Sequence, residues 1–234
     1  LMQTLGEVTL DAFRLLFSGD RELWEIILLS FSVSLRAIVF VTPLALAVAF
    51  ILAYTRFPGR QFLISLFNSL LALPAVVVGL LLYVLLSRAG PLGDWRLLFT
   101  QSAMILGQMV LCFPILVSMS HASIQGGDRR VWETAITLGA SPLRAMFTLL
   151  YEVRFGLMAA IAAGFGRVIA EVGCSMMVGG NILHFTRNIP TAIALETSKG
   201  SFSQGIALGM VLLFLALLLN FMVSQFRGHG TLSE

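Results

Sequence analysis

Charge is what this sequence has least of. Only 12% of its 234 residues are charged, against about a quarter in a soluble domain. A soluble globule of this size could not cover its surface with so few ionic groups, and the mean hydropathy of +0.92 agrees. Lysine is nearly missing. Lys199 is the single one, and no G-x-x-x-x-G-K-[ST] run precedes it, so the chain has no phosphate cradle of its own. Two cysteines, Cys112 and Cys174, are too few for a disulfide scaffold. His121, His184 and His229 are isolated, and no C-x-x-C occurs, so no metal-ligand spacing is visible. No G-x-S-x-G elbow marks a serine nucleophile. The pI is near 9.3, yet a net charge of +3 makes no basic patch, which argues against a nucleic-acid partner. An apolar fraction of 58% excludes disorder. What remains is a membrane protein.

About 20 apolar residues in a helix cross the hydrocarbon core. Residues 26–55 carry one formal charge, Arg36, and 61–87, 97–127 and 200–226 carry none. Residues 155–180 carry two, Arg167 and Glu171. The weak alternation of barrel strands is missing, and lipid offers a bare backbone no partner. The sequence therefore predicts an all-α membrane protein with about five spans: 26–54, 62–87, 98–122, 155–180 and 202–226. The permease domain covers 23–227, and 228–234 forms a C-terminal tail. Residues 1–22 read as an amphipathic interfacial segment, with Leu5, Val8, Ala12 and Leu15 on one face.

Basic loops orient the spans. Arg56, Arg60, Arg129, Arg130, Arg144, Arg154 and Arg227 fall on one side, against Arg14, Arg21, Arg88, Arg96, Arg187 and Lys199 on the other. The first set is expected inside, which leaves the N-terminus out and the C-terminus in the cytoplasm.

The loop 126–150 has helical grammar. Asp128 can cap a short helix running to about Leu138, and Gly139 stands where a helix end favours a left-handed residue. Ser141 and Pro142 then read as an N-cap followed by proline at the first helical position. Val131, Trp132, Ala135 and Leu138 give the first helix an apolar edge. That edge is too short to span and suited to docking on a partner.

Glu133-Thr134-Ala135, three residues and Gly139 resemble the EAA-x-x-x-G signature of ABC importer permeases. The sequence departs from it at Thr134, which replaces alanine, and at Leu149-Leu150-Tyr151-Glu152, which replaces I-x-L-P. Residues 73–82 and 90–93 are similar to the second span of molybdate- and tungstate-type permeases. Residues 167–173 and 176–181 are similar to their penultimate span. Residues 191–200, with Glu152-Val153-Arg154, resemble the tungstate branch. The likeness runs from Ile26 to Phe226.

The resemblance implies a type I ABC importer permease for an oxyanion, tungstate first and molybdate next, in the bacterial or archaeal cytoplasmic (inner) membrane. It implies a homodimer, two ABC ATPase subunits that hold ATP and Mg, an extracytoplasmic oxyanion-binding protein and surrounding membrane lipid. The chain itself is then no enzyme and binds no cofactor or metal. Val131, Trp132, Glu133, Thr134, Ala135, Leu138, Gly139, Ala140 and Ser141 become the surface coupled to the ATPase. Pathway or gate candidates are Pro74, Gly79, Arg167, Glu171, Gly173, Ser175, Gly179 and Asn181.

Several features admit two readings. Arg167 and Glu171, four apart, form a structural ion pair or border a wet pathway. Ala159, Ala163, Gly166, Ala170 and Gly173 make a stripe for close packing, within one chain or between two. Pro43, Pro74 and Pro114 fall inside spans and can kink them; with Gly79, Pro74 is the hinge candidate. The loop 181–201 offers Arg187, Lys199, Thr186, Asn188, Thr191 and Thr197 as a polar rim for an anion or as an ordinary solvated loop. A rival class is an ATPase-independent secondary transporter or channel, which would give Glu171 a proton-linked role. No inverted repeat supports it.

Overall fold

The structure, a computed structural model, describes Arg14 and residues 17–228. The interfacial segment expected over 1–22 lies outside the described residues at 1–13, 15 and 16, as does the tail from 229. Among the described residues ten α-helices follow in order: α1 (Arg21–Tyr54), α2 (Arg60–Leu70), α3 (Ala75–Leu86), α4 (Gln101–Gly126), α5 (Arg129–Thr137), α6 (Pro142–Glu152), α7 (Arg154–Ile169), α8 (Gly173–Gly179), α9 (Ile189–Lys199) and α10 (Phe202–Gly228). A 3-10 turn, Gly93–Trp95, lies between α3 and α4. No strand occurs among the described residues.

Two helices, α1 and α4, are each long and apolar enough to cross a bilayer. The stretch 62–87, read from sequence as one span, is divided between α2 and α3. Pro74 therefore does not kink a helix from within. It is the N-cap of α3, with extended backbone, and its carbonyl accepts from Val77 and Val78 N–H. Proline disfavours helical backbone in the residue before it and has no N–H to lose at a helix start. Pro43 and Pro114 do lie inside α1 and α4. The stretch 155–180 is also divided, into α7 and the seven-residue α8, with Glu171 in the break.

Two compact units share these helices. The first gathers described residues from 1–37, 74–111 and 166–218; the second gathers 38–73, 112–165 and those from 219. In the first unit, Leu23, Ile26 and Ile27 of α1 form a core with Ile189 and Ala192 of α9 and with Ala207 and Leu208 of α10. Ser30 joins the same elements by hydrogen bonds. Its hydroxyl donates to the Ile26 carbonyl (2.9 Å) and accepts from the Ile189 N–H (2.7 Å).

In the same unit α8 is wedged against α3 and α4. A methyl group on Gly79 would meet the Cys174 backbone at 2.8 Å, and one on Gly107 would meet Cys174 Sγ at 2.5 Å. Small residues let helices approach this closely without the aqueous driving force that lipid lacks. In the second unit, Ala49, Ile124, Leu149 and Leu157 bring together the ends of α1 and α4 with α6 and α7. The chain turns by 73° between α6 and α7.

Candidate functional site

The corner between α5 and α6 is built by local chemistry. Asp128 Oδ1 accepts from the Arg130 N–H at 2.9 Å and starts α5. At the other end, Gly139 has φ +86°. Its N–H donates to the Ile136 carbonyl (2.9 Å) and the Ala140 N–H donates to the Ala135 carbonyl (3.0 Å). This pair of bonds is the Schellman closure, which needs a left-handed residue between them. Ser141 Oγ then accepts from the Arg144 N–H at 3.4 Å and Pro142 opens α6.

The residues of the corner divide by direction. Trp132 turns toward its own chain, with ring centroids 5.0 Å from Tyr54 and 5.5 Å from Phe50. Such ring pairs contribute about 0.5–1.5 kcal/mol each beyond area burial. Val131 packs against the second unit's core. Val131, Thr134, Ala135, Leu138 and Ala140 line a shallow concavity of about 560 Å³. Leu138 is 82% exposed. Glu133 is exposed too, 3.5 Å from Arg129. So α5 is anchored through Val131 and Trp132, while Glu133 and, at the helix end, Leu138 stay exposed. The apolar edge expected from sequence is thus shared between anchoring and presentation.

The pathway candidates gather around α8. Arg167 Nη1 donates to Glu171 Oε2 at 2.7 Å, and Glu171 Oε1 accepts from the Cys174 N–H at 3.2 Å. Glu171 is buried, whereas the Arg167 side chain is 41% exposed. A carboxylate withdrawn from water needs such compensation. Here it receives a cation and a backbone donor, and it bridges the break between α7 and α8. Gly173 would place a methyl 2.6 Å from Val76 Cγ2. Ser175 is buried, and its hydroxyl has no partner among the described residues. The Gly179 carbonyl accepts from Thr186 Oγ1 at 2.6 Å. Asn181 has φ +51°, and its Nδ2 donates to the Thr191 carbonyl at 3.4 Å.

Sequence reasoning missed Gln108. Its Nε2 donates to the Val168 carbonyl at 3.2 Å near the end of α7, while Oε1 has no partner among the described residues. An amide inside the charge-free run 97–127 was the available signal.

The small-residue stripe divides as well. Ala159 is buried, Ala163 and Ala170 are exposed, and a methyl on Gly166 would meet nothing within 4 Å. The polar rim expected over 181–201 is largely spent on structure. Asn188 and Thr191 form a reciprocal capping box for α9 and are buried, as is Thr186. Lys199 Nζ lies 2.8 Å from Glu196. Arg187 lies 3.5 Å from Glu22, and His184 Nδ1 lies 2.7 Å from Glu25. The His184 hydrogen bond first, and then that of Arg21, hold the Glu25 carboxyl below its usual pKa. Thr197 alone of the four hydroxyl and amide residues stays exposed.

No family model matches the chain. It is 42% identical over 174 residues to the tungstate uptake system permease protein TupB of Campylobacter jejuni subsp. jejuni, covering 74% of this chain and 73% of that one. TupB of Peptoclostridium acidaminophilum is 34% identical, with 94% and 96% covered. The molybdenum transport system permease protein ModB of Escherichia coli K12 is 32% identical, with 83% and 89% covered. Among solved structures, an amino acid ABC transporter superposes with a TM-score of 0.67 at 15% identity, covering 92% of this chain and 96% of that one. The inward-facing MetNI methionine ABC transporter gives 0.64 at 18%, covering 89% and 94%. At such identities these two speak for the fold.

Proposed function

This chain belongs to the molybdate/tungstate family of ABC importer permeases, and on that premise we propose that two copies of it form the translocation path for tungstate. It is a multi-pass membrane protein with the type I permease fold. It is a permease subunit and not an ATPase. In this reading two ABC ATPase subunits hold ATP and Mg, an extracytoplasmic protein delivers the oxyanion, and the complex sits in the cytoplasmic (inner) membrane with the C-terminus inside.

The observation that carries the mechanism is the α5–α6 corner. Trp132 and Val131 tie α5 to the second unit's core, while Leu138 and Glu133 protrude. A partner that grips the protruding side moves the anchored side with it. ATP binding would close the ATPases, shift α5, and thereby reset the helices attached to it. No bond changes in this chain. Glu171, left alone, would repel an anion; its pairing with Arg167 removes that obstacle. The uncovered positions Ala163, Gly166 and Ala170 suit close approach of a second copy.

The identity to tungstate permeases places tungstate first, and the molybdate permease keeps molybdate second. Tracer uptake in cells carrying the whole complex, with tungstate, molybdate and sulfate competing, tests the order. Tungstate should displace tracer at the lowest concentration. Displacement by sulfate ahead of both metal oxyanions would refute the assignment.

A further inference from the structure

The second unit holds a further cleft, beside the start of α5. It has a volume of about 360 Å³, and its polar lining comprises Tyr54, Thr55, Arg56, Arg60, Gln125 and Arg129. Three arginines therefore line one small space, and no acidic residue lines it.

The arginines are held or free for distinct reasons. Arg60 Nε donates to the Leu52 carbonyl at 2.6 Å, which fixes its side chain against the last turns of α1. Arg56 makes no ion pair among the described residues. Arg129 has Glu133 at 3.5 Å, on a side chain that is 72% exposed. The excess of positive charge is real after that one acid is counted.

The cleft's depth along the helices indicates what fills it. Tyr54 is the last residue of α1, Gly126 the last of α4, and Arg60 the first of α2. Apolar spans end at headgroup level, so the three cations stand where lipid phosphates lie. Helix α2 buries none of its residues and exposes Phe62 (69%) and Leu66 (38%). Acyl chains thus have an apolar surface on the helix that Arg60 begins. A soluble anion would use the arginines alone. A phospholipid would use both.

We propose that this cleft binds the phosphate of an anionic phospholipid from the cytoplasmic leaflet. Planar guanidinium forks match phosphate oxygens in pairs. The assignment rests on the reading that α5 faces the cytosol, because Arg129 belongs to both.

The test uses the whole transporter complex, stripped of lipid in detergent and titrated in native mass spectrometry. Phosphatidylglycerol and phosphatidylcholine are the lipid probes, with inorganic phosphate as the soluble competitor. Phosphatidylglycerol should bind preferentially. Arg56→Gln and Arg129→Gln should each weaken it about fivefold, and Arg56→Lys should recover most of that loss. Arg88→Gln, on a loop outside the cleft, should change nothing. Millimolar phosphate should leave phosphatidylglycerol bound. Equal binding of the two lipids overturns the proposal, as does unaltered phosphatidylglycerol affinity in both glutamine variants. Displacement by phosphate overturns it too and assigns the cleft to a soluble anion. The same spectra separate this failure from that of the functional reading: absence of ATPase subunits from the unaltered complex refutes the orientation of α5, whereas a complex intact but indifferent to lipid charge refutes the cleft alone.

Discussion

Arg167 Nη1 stands 2.7 Å from Glu171 Oε2, and the same carboxylate's other oxygen accepts the Cys174 N–H across the break between α7 and α8. One buried side chain thus neutralises a cation and joins two helices. Of the two readings open from sequence, the structural ion pair is the one formed here; uptake in Glu171→Gln tests the pathway reading.

Glu171→Gln keeps an acceptor for Cys174 and loses the ion pair. Its cost should be about 1–3 kcal/mol, below that of a fully buried pair because Arg167 is half in solvent. Uptake should fall while the dimer still assembles. Thermal unfolding in detergent and tracer uptake check both parts, and unchanged uptake would leave only the structural role.

Gly79 and Gly166 should respond oppositely to enlargement. Gly79→Val drives a side chain into the Cys174 backbone and should destabilise the fold by about 1–3 kcal/mol or more. Gly166→Leu has open space and should leave each protomer's fold intact while lowering dimer yield. Thermal unfolding reads the first and cross-linking the second. Unchanged dimer yield and flux in Gly166→Leu would discount the stripe.

Gly139→Val forces a β-branched residue to φ +86°, at a cost of about 1–3 kcal/mol. The strain is confined to the corner, so the membrane helices should stay folded while ATPase subunits co-purify poorly. Gly139→Asn should be milder, because asparagine tolerates this backbone.

Glu25 precedes the apolar run that begins at Ile26. Its pKa is lowered by His184 and then by Arg21. A depressed carboxyl pKa gives stabilisation that is present above the ordinary carboxyl value of 4.5. That stabilisation is lost as pH falls through the lower folded value. Amide exchange over residues 182–187 should therefore quicken in that acid window, because His184 lies on that loop. In His184→Ala the pH step should shrink. A profile identical to the unaltered chain would show that the contact does not hold the loop.

Much of the corner was legible because its signals are local. Asp128, Gly139 and Ser141-Pro142 each act on backbone within a few residues. The two unbroken spans, α1 and α4, were legible for the same kind of reason, since lipid demands length and little else. The breaks at 71–74 and 170–172 were less so. Apolarity runs straight across both, and hydropathy says nothing about where a helix stops; only Pro74 hinted at the first. Side-chain direction was the other obstacle. Thr186, Asn188 and Thr191 look like rim donors by type, yet they turn inward to cap α9 and tie down its loop. Trp132 likewise had to choose between a partner and its own chain, and Phe50 and Tyr54, some 80 residues earlier, decide it.

In the proposed complex the ATPase subunits grip the α5–α6 corner from the cytosol. Both native cysteines are buried, and Leu138 is 82% exposed, so Leu138→Cys offers a single accessible thiol. Labelling with a membrane-impermeant maleimide is the direct measurement. Labelling is expected in inverted vesicles only, with protection when the ATPase subunits are bound. Labelling of intact cells from outside, or none from either side, would contradict it.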